Sequence, residues 1–111
     1  MFGLFNKTKS FEEISSPEFE LKMKSKDTIV LDVRTGGEFA SGYIPGAKNI
    51  DVNSGDFASR ISKLDKSKNY LVYCRSGMRS ASACTYLGEQ GFENVTNLRG
   101  GIMGWKGQVK R

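Results

Sequence analysis

The chain has 111 residues, 38% of them hydrophobic and 26% charged, with a formal net charge of +5, two cysteines and no histidine. That length suits one compact domain and leaves no room for two, while the composition excludes a disordered or low-complexity chain. Two cysteines without histidine are too few for a disulfide scaffold and lack the paired spacing of a zinc site, so neither a metal nor a cofactor is expected.

No apolar run approaches the roughly 18 residues that span a bilayer, so no integral membrane association is expected. Basic residues such as Lys22, Lys24, Lys63, Lys66, Lys106 and Lys110 fall mostly at element ends and termini. No aromatic-basic stripe of a single-strand reader accompanies them, so nucleic acid is not the expected partner, and the positive charge suits small anions. Cysteines this few point to a reducing compartment, with the cytoplasm as default.

Residues 1–9 read as a short lead. Met1-Phe2-Gly3-Leu4-Phe5 is apolar but lacks the basic start, long hydrophobic stretch and cleavage site of a signal peptide. Phe2, Leu4 and Phe5 are read as a frayed end or a strip packed on the domain. The domain is expected over 10–107, with a C-terminal tail at 108–111. Ser16 before Pro17, with Glu18 and Glu20 following, predicts a helix running to about Lys24. Thr28-Ile29-Val30-Leu31-Asp32-Val33 predicts a strand covered on both faces. One helical turn follows at Glu38 to Ser41, then a turn at Tyr43 to Gly46 and a short strand at Lys48 to Asp51. Asp56 to Leu64 has helical spacing, with Phe57, Ile61 and Leu64 four and three apart.

Asn69-Tyr70-Leu71-Val72-Tyr73 predicts a second buried strand that ends directly on Cys74. A helix over Ser80 to Leu87 stops near Gln90-Gly91, with glycine as its C-terminal cap. Val95 to Leu98 predicts a last strand, before Gly100-Gly101 and a final helical segment holding Trp105. Strands alternating with helices imply crossover connections, hence an α/β fold with a mainly parallel sheet and helices on both faces. Ligands of such sheets lie beyond the carboxyl ends of the strands, where Asp32 and Cys74 both fall.

The chemistry concentrates in the loop Cys74-Arg75-Ser76-Gly77-Met78-Arg79. A cysteine between a buried strand and a helix start has its sulfur among backbone N–H groups at a positive helix end. Those groups, with Arg75 and Arg79, favour a thiolate, so Cys74 is expected to titrate below a free thiol. Greater ionisation is partly offset by weaker nucleophilicity, so the loop is expected to contribute mainly by holding an anionic substrate through preorganised donors. Cys84, among Ala81, Ala83 and Tyr86, reads as core filling. The absent histidine removes any Cys/His dyad, so activation must be electrostatic. Thiol phosphatases place arginine after Cys and five residues; here Arg79 comes after four, followed by Ser80.

Asp32-Val33-Arg34 with Glu38-Phe39, Gly42-Tyr43-Ile44-Pro45-Gly46-Ala47, Tyr73 to Ser80, and Leu98-Arg99-Gly100-Gly101 with Trp105 together resemble the single-domain rhodaneses, or thiosulfate sulfurtransferases. The likeness runs from about Ser16 to Trp105. It implies a three-layer sandwich around a five-stranded, mainly parallel sheet. It implies that Cys74 carries a persulfide, and that the six-residue loop fits a sulfane-sulfur substrate where related phosphatases need a longer one. Arg75, Ser76, Gly77, Met78, Arg79 and Ser80 would bind that substrate, a small anionic sulfur donor. The acceptor would be cyanide or a thiol, with thioredoxin, glutathione or a protein thiol as candidates. Asp32, Arg34 and Glu38 would form a buried ion-pair network bracing the loop, and Trp105 would be core or pocket wall. Tyr43 stands where the family very often has histidine, a change expected to alter local packing. The rival readings are a rhodanese-like module that binds partners or relays persulfide without turnover, and a phosphatase or arsenate reductase.

Overall fold

The computed structural model describes residues 11–111, so the apolar lead at 1–9 lies outside the described residues. Five strands form one sheet: β1 (Glu12–Ile14), β2 (Thr28–Asp32), β3 (Lys48–Asn49), β4 (Asn69–Tyr73) and β5 (Asn94–Leu98). Their order is β1-β5-β4-β2-β3, and every neighbouring pair is parallel. Each connection carries a helix, as parallel neighbours require: α1 (Ser16–Lys22), α2 (Gly36–Ala40), α3 (Phe57–Ile61) and α4 (Met78–Glu89).

Side chains alternate along the strands, so the sheet feeds two cores. Val30, Leu71, Tyr73 and Leu98 pack with Phe19 of α1 on one face. Leu31, Val72 and Val95 pack with Phe57 and Ile61 of α3 and with Ala83, Cys84 and Leu87 of α4 on the other. The result is the three-layer α/β sandwich that the resemblance implied. Its parallel strands all end at one edge, the edge that presents Asp32 and Cys74.

Several boundaries differ from the sequence expectations. β1 was not anticipated: Glu12-Glu13-Ile14 has neither alternation nor β-branched enrichment, and it becomes a strand by pairing with Thr96 to Leu98. The cap of α1 is Ser15, one residue before the expected Ser16. Its hydroxyl accepts the Glu18 N–H at 3.5 Å while the Glu18 carboxylate accepts the Ser15 N–H at 3.2 Å, a reciprocal capping box. That helix ends at Lys22 instead of Lys24, and α3 ends at Ile61. The last helical segment is a single 3₁₀ turn, Ile102–Gly104, with Trp105 just beyond it.

α4 begins at Met78, two residues before the expected Ser80, so the last two residues of the cysteine loop already belong to the first turn of a helix. Its other end closes as foreseen. Gly91 takes φ 93°. The Phe92 N–H reaches the Leu87 carbonyl at 3.1 Å and the Gly91 N–H the Gly88 carbonyl at 3.1 Å. Residues 108–111, set apart in the sequence as a tail, are tied to the domain by an antiparallel bridge between Tyr43 and Lys110, with bonds of 2.9 and 2.8 Å. Tyr43 itself stacks on Phe39, ring centroids 4.2 Å apart, so its ring serves local packing. Among the described residues no helix is long and apolar enough to cross a membrane.

Phe19 is fully buried and meets Trp105 edge to face, centroids 5.8 Å apart, which places Trp105 against this core. Phe19→Ala is expected to lower the unfolding free energy by about 3–5 kcal/mol through lost burial and an unfilled cavity. Urea denaturation should show the midpoint falling with little change in slope.

Candidate active site

β4 delivers Cys74 from the middle of the sheet, and the chain must turn sharply there to enter α4. Gly77 makes the turn at φ 105°, a left-handed conformation that disfavours a side chain. The turn folds the loop around the sulfur. Cys74 Sγ accepts the Gly77 N–H at 3.1 Å and the Ser80 hydroxyl at 3.3 Å. Burial, which leaves the residue 1% exposed, pushes the thiol pKa up. The Ser80 hydroxyl and the N–H groups of Ser80, Gly77 and Ser76 outweigh it, and the net direction is down. Cys84, one helical turn beyond Ser80, is fully buried, and desolvation drives its pKa strongly upward, consistent with core filling.

The rear of the loop is fastened to the segment after β5. The Ile102 N–H donates to the Cys74 carbonyl at 2.9 Å and the Met103 N–H to the Arg75 carbonyl at 3.0 Å. Gly101, at φ 61°, lies so close that a side chain there would collide with the Arg75 carbonyl. The two backbones therefore pack directly on each other.

Arg79 does not stand free in the cup. Its Nη1 and Nη2 donate to Glu38 Oε1 and Oε2 at 2.8 and 2.9 Å, a bidentate ion pair. The same Glu38 Oε1 accepts the Thr35 N–H at 3.1 Å, and the Thr35 hydroxyl accepts the Glu38 N–H at 3.1 Å, so one carboxylate caps α2 and pins the start of α4. Gly36 and Gly37, which look loose in sequence, are the first turn of that capped helix. Arg75, Ser76 and Met78 are exposed at the mouth, whereas Gly77 and Ser80 are buried.

Asp32 and Arg34 form a second, separate pair. Arg34 Nε lies 3.1 and 3.0 Å from the two Asp32 oxygens, and its Nη2 also reaches the Gly42 carbonyl at 2.6 Å. The guanidinium sits over the Tyr73 ring at 5.6 Å, and the Tyr73 hydroxyl accepts the Ile44 N–H at 3.0 Å. This pair thus fixes the strand end before Cys74 and the 42–44 turn. Only Glu38, of the three expected bracing residues, bonds to the loop itself.

Sequence reasoning passed over Asn97. It is fully buried at the end of β5, and its amide donates to the Gly77 carbonyl at 3.2 Å and to Glu13 at 3.0 Å. An asparagine, a poor strand former, between Thr96 and Leu98 in a strand expected to be buried was the available signal. A cavity of about 480 Å³ between Phe11, Lys22, Asn69 and Asn94 lies at the opposite end of the strands, about 16 Å along β4 from Cys74.

Arg79 holds the Glu38 carboxyl well below its ordinary range, near 2, with the Thr35 groups assisting against a smaller opposing effect of burial. A carboxylate with a lowered folded-state pKa stabilises fully above its unfolded value of about 4.5 and loses that contribution as pH falls towards 2. Glu38→Gln should therefore lower the melting temperature at neutral pH and flatten its decline between pH 4.5 and 2, measured by thermal unfolding across that range.

The Rhodanese-like domain model matches residues 15–108. The YtwF protein of Bacillus subtilis is 43% identical over 100 residues, covering 89% of this chain and 94% of its own. The thiosulfate sulfurtransferase GlpE of Shewanella oneidensis is 34% identical over 96 residues, covering 86% and 93%. The longer tRNA uridine(34) hydroxylase of Pelagibacter ubique is 33% identical over 110 residues, 98% of this chain but 36% of that protein. Among solved structures, a rhodanese-like domain protein of Staphylococcus aureus superposes with a TM-score of 0.77 at 32% identity, covering 88% of this chain and 94% of that one. The chain belongs to the rhodanese-like domain family.

Proposed function

We propose that this protein is a sulfurtransferase that carries sulfane sulfur as a persulfide on Cys74, taking it from thiosulfate or a similar small anionic donor. The observation that carries the reading is the environment of Sγ, buried yet accepting the Gly77 N–H and the Ser80 hydroxyl at the start of a 12-residue helix. Those donors stabilise a thiolate, the nucleophile that sulfur transfer needs.

The Cys74 thiolate attacks the outer sulfur of thiosulfate. A new S–S bond forms, the donor's S–S bond breaks, and its electron pair leaves on sulfite. The terminal sulfur keeps one negative charge, which the loop N–H groups hold without reorganisation. An acceptor thiolate or cyanide then attacks that sulfur, and the Cys74 thiolate is regenerated. Arg75, exposed at the mouth, attracts the dianionic donor; Ser76 and Met78 line the approach.

The acceptor we favour is a thiol, on a small molecule or a protein. Met78 and Met103 stand exposed at 78% and 64%, and both belong to segments that frame the loop. Such flexible apolar side chains suit a protein surface better than cyanide. The phosphatase reading is disfavoured by Arg79, whose two guanidinium arms are both engaged by Glu38 and so are not free to clasp a phosphate. The unpaired state of Cys74 and Cys84 suits a reducing compartment, the cytoplasm by preference.

Incubated with thiosulfate, the purified protein should gain the mass of one sulfur atom on Cys74 and lose it to cyanide as thiocyanate. Cys74→Ala should show neither the adduct nor turnover. An unchanged mass in the parent protein, or full activity in the variant, would overturn the reading.

A further inference from the structure

We propose that Asn97 is a positioning residue for the Cys74 thiolate: its amide clamps the Gly77 carbonyl and thereby restrains the φ and ψ of the residue whose own N–H donates to Sγ. The inference rests on the reading of Cys74 as the reactive sulfur and adds a residue from another strand to that site.

Asn97 is 0% exposed, and both of its amide hydrogens are spent. One goes to the Gly77 carbonyl at 3.2 Å and the other to a Glu13 carboxylate oxygen at 3.0 Å. Its own carbonyl oxygen is buried without a partner. Exchanging the amide's oxygen and nitrogen would set that oxygen against two acceptors and leave the NH₂ unsatisfied, so the orientation is dictated by the partners. An orphan buried oxygen costs free energy. A site selected for stability alone would favour an apolar residue, as at Val95 and Leu98 of the same strand.

The placement shows what the amide accomplishes. Gly77 adopts φ 105° and ψ −8°, where glycine is free to move into several other wells. Its carbonyl also accepts the Ala81 N–H at 3.1 Å, an intrahelical bond that any α4 would make. The Asn97 bond comes from outside the helix and restrains rotation of this residue relative to the sheet. In that setting the Gly77 N–H meets Sγ at 3.1 Å. Glu13, from edge strand β1, holds the amide in place from the far side, so the chain Glu13, Asn97, Gly77, Cys74 crosses from the first strand to the sulfur.

The test is the pH dependence of Cys74 alkylation by iodoacetamide, mapped by mass spectrometry. This readout follows the thiolate whether or not sulfur is transferred, so it separates failure of this inference from failure of the proposed activity. Asn97→Leu keeps the number and branching of the side-chain heavy atoms, removes the orphan oxygen and leaves the Gly77 carbonyl its bond to Ala81. Its melting temperature reports the cost of the larger methyl groups separately from the midpoint. Its alkylation midpoint should move up by about one unit, which lowers the thiolate fraction at neutral pH about tenfold and the alkylation rate about threefold, since basicity raises nucleophilicity. Asn97→Asp, which keeps the shape but faces the Gly77 carbonyl with an oxygen, should shift the midpoint in the same direction and serves if the leucine variant does not fold. A merely structural role would change the melting temperature and leave the midpoint where it was. A folded variant of either kind whose alkylation profile superimposes on the parent's would overturn the proposal.

Discussion

A sulfur that is taken out of water must be neutral or be paid in hydrogen bonds, and the design of this domain follows from that constraint. Burial of Cys74 opposes ionisation, and the opposing donors all come from four consecutive peptides and one hydroxyl of the same turn. They converge because the chain leaves β4 and enters α4 within a few residues, which Gly77 permits by taking a left-handed conformation. The parallel sheet then makes the arrangement rigid, since β5 and β2 flank β4 on either side and carry their own braces to the same edge.

The bracing is divided between two acid-base pairs with different duties. Asp32 and Arg34 stay within the body of the domain, joining the end of β2 to the 42–44 turn and packing under Tyr73. Glu38 and Arg79 join two helices, and the carboxylate closes the capping box of α2 at the same time. A single side chain that completes one helix and anchors another couples their positions. Charge in this cup is therefore mostly spent on architecture. The positive potential at the sulfur comes from N–H groups, where the sequence had pointed equally to the arginines.

The family and the lowered titration of Cys74 were more legible than the local geometry. A cysteine closing an apolar strand, followed by a polar glycine turn, announces a thiolate site because few other environments tolerate that pattern. The crossover topology was legible from alternation of apolar runs with helical spacing. What stayed hidden depended on distant partners. β1 is three residues long and exists only because β5 offers an open edge. Asn97 reads as a weak strand residue until the loop is placed over it. The early start of α4 was masked because Met78 and Arg79 read as loop chemistry, while their backbone is already helical. The split of the expected ion-pair network into two arose from rotamers, which no spacing rule encodes.

Gly101 carries a consequence beyond the close packing it allows. Because backbone meets backbone beneath Cys74 and Arg75, with Ile102 and Met103 bonded to their carbonyls, this part of the cup's floor is peptide with no rotamers to change. On the proposed reading of Cys74, an incoming anion meets donors already aligned, so little ordering entropy is lost on binding. The same rigidity removes induced fit as a means of choosing among anions. Discrimination by a cup of this kind lies in its fixed aperture, and a change in the anions it accepts would require a loop of different length.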